Sequence, residues 1–110
     1  MALAAQAEAL PQRASATLIT LAEMPRVCGI VLRPERSISW TRPANREAAL
    51  AQTRGIVAAA ACNSCQRSAG PFAACIVVAG QLSGSCANCH YGSKGVRCSL
   101  RPGKWFLLTR

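Results

Sequence analysis

Apolar positions along this chain come in short bursts separated by small and polar residues, not in long periodic runs. The stretch from 44 to 54 carries the best helical pattern. Pro43 suits a first helical turn, Ala48, Ala49 and Leu50 are helix formers, and Gly55 reads as a stop. Leu50 and Arg54, four apart, fall on one face of that helix. Phe72–Val78 reads as a short strand, entered through the turn signal Gly70-Pro71 and left through a loop over 80–84. Val27–Leu32 has the composition of another short strand, weakened by Gly29, and Ile38 and Trp40 alternate as in an extended piece. Residues 1–24 read as a short alanine-rich helix broken at Pro11, then a β-branched run around Thr17–Leu21, with no identifiable partners. The apolar Trp105–Leu108 suits an edge strand or a segment packed on the helix.

Composition makes the core thin. Apolar residues make up 51% of the 110, but much of that is alanine, and Phe, Trp and Tyr together supply five side chains. A domain this small with so little bulk to bury needs a covalent or metal staple. The expected fold is therefore a small metal-stabilised irregular α+β domain, with a helix at about 44–54, a strand at about 72–78 and little regular structure elsewhere. Residues 1–43 form an N-terminal extension whose order the pattern does not require, and residues 44–110 form the cysteine-rich module with its tail.

Seven cysteines are the candidate staple. Six follow the spacing Cys62-x2-Cys65-x9-Cys75-x10-Cys86-x2-Cys89-x8-Cys98. Two residues between cysteines let the chain turn tightly enough for both sulfurs to reach one tetrahedral ion at about 2.3 Å. Two such pairs separated by 20 residues is a zinc-site spacing. If all six are ligands, two zinc ions require two shared sulfurs; if only Cys62, Cys65, Cys86 and Cys89 are, one ion suffices and Cys75 and Cys98 are core thiols. Two ions is the favoured count. His90, next to Cys89, is a weaker candidate ligand, and Cys28 reads as a buried strand thiol.

The order pair–single–pair–single resembles the binuclear zinc cluster of fungal transcription factors, and that resemblance implies bridging by Cys62 and Cys86. The family's six-residue loop between its second and third cysteines is crowded with cations; here Gln66–Ala74 spans nine residues with one, Arg67. The chain also resembles an uncharacterised cysteine-rich domain of filamentous fungi. The shared positions are Arg54-Gly55, Cys62, Cys65, Gly70-Pro71-Phe72, Cys75, Cys86, Asn88-Cys89, Tyr91 and Cys98-Ser99. That likeness implies a domain and no activity.

Charge then bears on partners. The formal net charge is +9, and all four acids (Glu8, Glu23, Glu35, Glu47) lie in the first 47 residues. The acid-free half suggests a polyanion, and Arg67, Lys94, Arg97, Arg101 and Lys104 are the candidate nucleic-acid contacts, with Tyr91 and Trp105 available to stack. An all-thiolate shell in a segment without Asp or Glu offers neither an open coordination position nor a general base, so no enzyme and no small-molecule substrate are expected. No apolar run approaches the ~18 residues of a membrane span. The N-terminus lacks the pattern of a secretory signal, so a reducing, intracellular and nuclear setting is expected, with a mitochondrial presequence a lesser fit. The expected function is a non-enzymatic zinc-binding module for protein or nucleic-acid contacts. The alternatives are a DNA-binding regulator of the binuclear-cluster type and a secreted disulfide-stapled protein.

Overall fold

The computed structural model describes residues 2–101. Trp105–Leu108 and Lys104 lie outside them. The helix expected at 44–54 is α3, Pro43–Gln52, with Pro43 at its start. It is the centre of the molecule: Ala48, Ala49, Leu50 and Ala51 are fully buried. A run of alanines allows neighbours to approach from several sides, so one short helix serves as the hub for the others. The helix stops before Gly55. Thr53 closes it by donating its hydroxyl to Leu50 O at 2.7 Å. Gly55 has a different purpose, because a Cβ there would lie 2.1 Å from Val77 O. The absent side chain lets the chain pass directly against the strand.

That strand is shorter than expected. The ladder is two residues long on each side, β1 (Ile56–Val57) against β2 (Ile76–Val77), antiparallel, with Ile56 opposite Val77. The expected segment also meets the 27–32 region, which is not a strand. Leu32 and Phe72 form an isolated bridge, flanked by Ala73 N to Val31 O at 2.9 Å and Arg33 N to Pro71 O at 2.8 Å.

The N-terminal residues form α1 (Ala2–Glu8) and α2 (Ala16–Glu23). The β-branched run at 17–21 is thus helical. Ser15 caps it, accepting from Leu18 N at 3.0 Å, and Leu18 and Leu21, three apart, bury one face. Ala7, Leu18, Leu21 and Ile30 share a single cluster with α3, Phe72, Val78 and Ala87. Burying side chains such as Leu21, Leu50 and Phe72 contributes roughly 2 kcal/mol each.

Arg54 locks this layer down. Only 8% exposed, it donates from Nε to Leu21 O at 2.9 Å and from Nη1 to Glu8 Oε2 at 2.7 Å. It therefore closes the open end of α2 and pairs with α1. Glu8 also pairs with Arg26. The hydrogen bond from Arg26, followed by that from Arg54, holds the Glu8 carboxyl down at about 2. A carboxyl whose folded pKa is depressed stabilises above its unfolded pKa of about 4.3 and loses that contribution as pH falls toward about 2. Glu8→Gln should accordingly destabilise by the same amount at pH 7 and pH 5.5, and by less at pH 4. Urea denaturation at the three pH values checks this, and a gap that widens on acidification contradicts it.

Candidate metal centre

Each Cys-x2-Cys pair opens a single helical turn. In α4 (Asn63–Gln66) the capping residue is Cys62, and in α5 (Ala87–His90) it is Cys86. Both caps have extended backbone, and both sulfurs accept from the third residue on: Cys65 N to Cys62 Sγ and Cys89 N to Cys86 Sγ, each at 3.4 Å. The single cysteines repeat the symmetry. Cys62 N donates to Cys75 Sγ and Cys86 N to Cys98 Sγ, again at 3.4 Å. Residues 62–75 and 86–98 are thus two copies of one arrangement, and in each the backbone amides face sulfur and favour its anionic form.

The six sulfurs converge in one buried cluster beside the main core. They divide into two sets of four: Cys62, Cys65, Cys75 and Cys86; and Cys62, Cys86, Cys89 and Cys98. Within each set every sulfur lies within 4.8 Å of the others. Cys62 and Cys86 belong to both sets and sit 3.8 Å apart. The separations Cys62–Cys89 and Cys65–Cys86 are 3.6 and 3.8 Å. A tetrahedral ion with bonds of about 2.3 Å needs sulfur–sulfur edges of about 3.8 Å, whereas a disulfide needs about 2.05 Å. The donors fit a metal and not a bridge, and all seven cysteines are free.

Six thiols packed this closely divide into proton donors and acceptors. Hydrogen bonds from Cys65 and then Cys86 bring the Cys75 thiol down to about 4. Those from Cys86 and Cys89 hold Cys98 well below the usual thiol range. Cys86, donating first to Cys65 and then to Cys75, is pushed far up. The arrangement favours anions at some sulfurs and demands shared protons at others. A divalent cation held in either set would take the place of those protons.

The surrounding residues hold the cluster in shape. Asn88 is buried and bonds Phe72 from both sides, accepting from Phe72 N at 2.9 Å and donating to Phe72 O at 2.8 Å. The same amide points toward Cys65 Sγ at 3.6 Å. Gly70, at φ +81°, has no side chain because a Cβ would meet Asn88 Oδ1 at 2.3 Å. Phe72 meets Tyr91 edge-on with centroids 5.9 Å apart, and Tyr91 Oη accepts from Ser39 N at 2.8 Å. Tyr91 is therefore partly committed to the core. Ser99 Oγ accepts from Asn63 N at 3.0 Å.

Two cysteine-region candidates are placed elsewhere. His90 does not join the sulfurs: its Nε2 lies 2.6 Å from Glu47 Oε1. The other Glu47 oxygen accepts from Ser15 Oγ at 2.5 Å, so this carboxylate ties the cluster's second knuckle to α3 and to the cap of α2. Cys28 is exposed rather than buried, because residues 27–29 run along the surface without forming a strand. Its thiol donates to Gln52 O at 3.1 Å.

The candidate cations separate. Arg67, Lys94 and Arg97 line one groove, whereas Arg101 lines another cleft with Thr17 and His90. Two of the groove's cations were not among the candidates: Arg36 and Arg42. They come from a segment with both charge signs, and no local pattern marks them. Among the described residues no helix is long and apolar enough to cross a membrane.

Comparison with curated proteins and with solved structures gives no match. Residues 48–101, which hold all six clustered cysteines together with Gly55, Gly70, Phe72 and Asn88, match the model of a family described as a protein of unknown function, DUF3716.

Proposed function

We propose that this chain is a non-enzymatic zinc module in which two ions share Cys62 and Cys86, and that it serves as a rigid platform for contacts with a protein or nucleic acid inside the cell, in the nucleus. The observation that carries it is the pair of four-sulfur sets with two members in common. Thiolate-only sets of this geometry suit zinc, and closed four-sulfur shells hold a fold together. When bound, zinc supplies folding free energy and no reaction. Cys62 and Cys86 would bridge, with Cys65 and Cys75 completing one set and Cys89 and Cys98 the other.

Native mass spectrometry tests this reading. Two zinc ions per chain are expected, with six or seven titratable thiols after denaturation in chelator. One ion would return two cysteines to the core, and a single free thiol would replace the metal by disulfides.

A DNA-binding regulator of the binuclear-cluster type is the second reading, favoured by the same sulfur sharing. The loop from Gln66 to Ala74 has only Arg67 as a cation. Arg33 and Arg36 reach it from elsewhere, however: Arg33 Nε donates to Gly70 O at 3.1 Å, and Arg36 approaches the same oxygen at 3.4 Å. Loss of all binding to duplex DNA at low salt would remove this reading.

A further inference from the structure

Five cations line one concave groove of about 590 Å³: Arg36, Arg42, Arg67, Lys94 and Arg97. All five are exposed, and no lining residue is acidic. They come from three separate stretches of chain, so the fold gathers what the sequence disperses. Glu8 is engaged by Arg26 and Arg54 in the N-terminal layer, and Glu47 on α3 is engaged by His90 and Ser15. Two zinc ions with six thiolates would carry a formal charge of about −2 beneath this floor. Five cations exceed what that charge requires, and the excess faces solvent.

We infer that this groove binds the phosphodiester backbone of a single-stranded nucleic acid. Four of its five cations are arginines, whose planar guanidinium matches phosphate oxygens in pairs better than an ammonium does. Asn63, Ser64 and Tyr91 also line it and add neutral donors and one aromatic ring. A charged groove with an aromatic wall is the arrangement that tracks a single strand. A duplex is convex and would meet only the rim. The inference rests on the zinc reading, because the knuckles that carry Asn63, Ser64, Lys94 and Arg97 are shaped by the cluster.

The test is fluorescence anisotropy of the zinc-loaded full chain with a labelled oligothymidylate, a duplex of equal length and poly-glutamate. Single-strand affinity should fall about a hundredfold between 50 and 200 mM salt, since five phosphate contacts give a log–log slope of about −3.5. Arg67→Glu with Lys94→Glu, and separately Arg36→Glu with Arg42→Glu, should each reduce that slope by at least about 1.4 and weaken binding at every salt concentration. Arg13→Glu and Arg101→Glu, outside the groove, should leave it unchanged. Zinc content is measured on every sample. Full zinc loading with no binding, with equal binding of duplex or poly-glutamate, or with equal loss from Arg101→Glu overturns the groove assignment. Loss of zinc from the unmutated chain counts against the metal reading instead.

Discussion

Cys86→Ala is expected to strip both ions and leave the chain without cooperative structure, whereas Cys98→Ala should keep one. The difference follows from set membership: Cys86 belongs to both four-sulfur sets and Cys98 to one. A structural zinc site supplies about 10 kcal/mol or more of apparent binding free energy at neutral pH, while a domain of this size is stable by about 5–15 kcal/mol in total. The small core cannot compensate for losing two such sites. A strong chelator should therefore unfold the wild type in one transition, read by circular dichroism, with native mass spectrometry following the ions. Two ions and wild-type dichroism in Cys86→Ala would end the shared-sulfur account.

The second large effect is expected at Asn88, which touches no ion. Asn88→Ala should cost about 3–5 kcal/mol and lower Tm by roughly 15–30 °C. The reason is local. Asn88 satisfies both the N–H and the C=O of Phe72 in a fully buried place, and each orphaned group costs about 1–3 kcal/mol. Alanine supplies neither partner and leaves space where water cannot readily enter. Zinc stoichiometry should stay at two in metal excess, because every sulfur remains. A fall in Tm below about 5 °C would show that Phe72 finds other partners.

Much of the sulfur cluster could be read in advance, because the chemistry of thiol ligands is written in residue type and local spacing. Cys-x2-Cys encodes its own turn, so both knuckles and all six clustered sulfurs were visible. Which two sulfurs would be common to both sets does not follow from spacing; in the structure they are Cys62 and Cys86. Helix α3 was legible through Pro43 and its alanines. The alanine-rich helix before Pro11 was legible as α1, but the docking of the N-terminal layer was not, and the β-branched residues of α2 favour a strand. Capping by Ser15 and burial of Leu18 and Leu21 override that preference. The pairing of His90 with Glu47 spans 43 residues, and the approach of Arg36 to Ser68 and Gly70 spans more than 30. Contacts at that separation leave no local trace. The purpose of Gly55 and Gly70 was hidden for the same reason: each is required by a neighbour that arrives from far along the chain.

The sharing of Cys62 and Cys86 also bears on time. In most closed metal sites an ion leaves when one loop opens and its ligands detach in turn. Here each set draws three sulfurs from one copy of the arrangement and one from the other, and the one-turn helices α4 and α5 pack against each other. Freeing an ion bound in either set would require parting the two copies, which is close to opening the whole module. Exchange should then be as slow as global unfolding. A population of such chains would carry the metal it met while folding, long after the surrounding supply had changed.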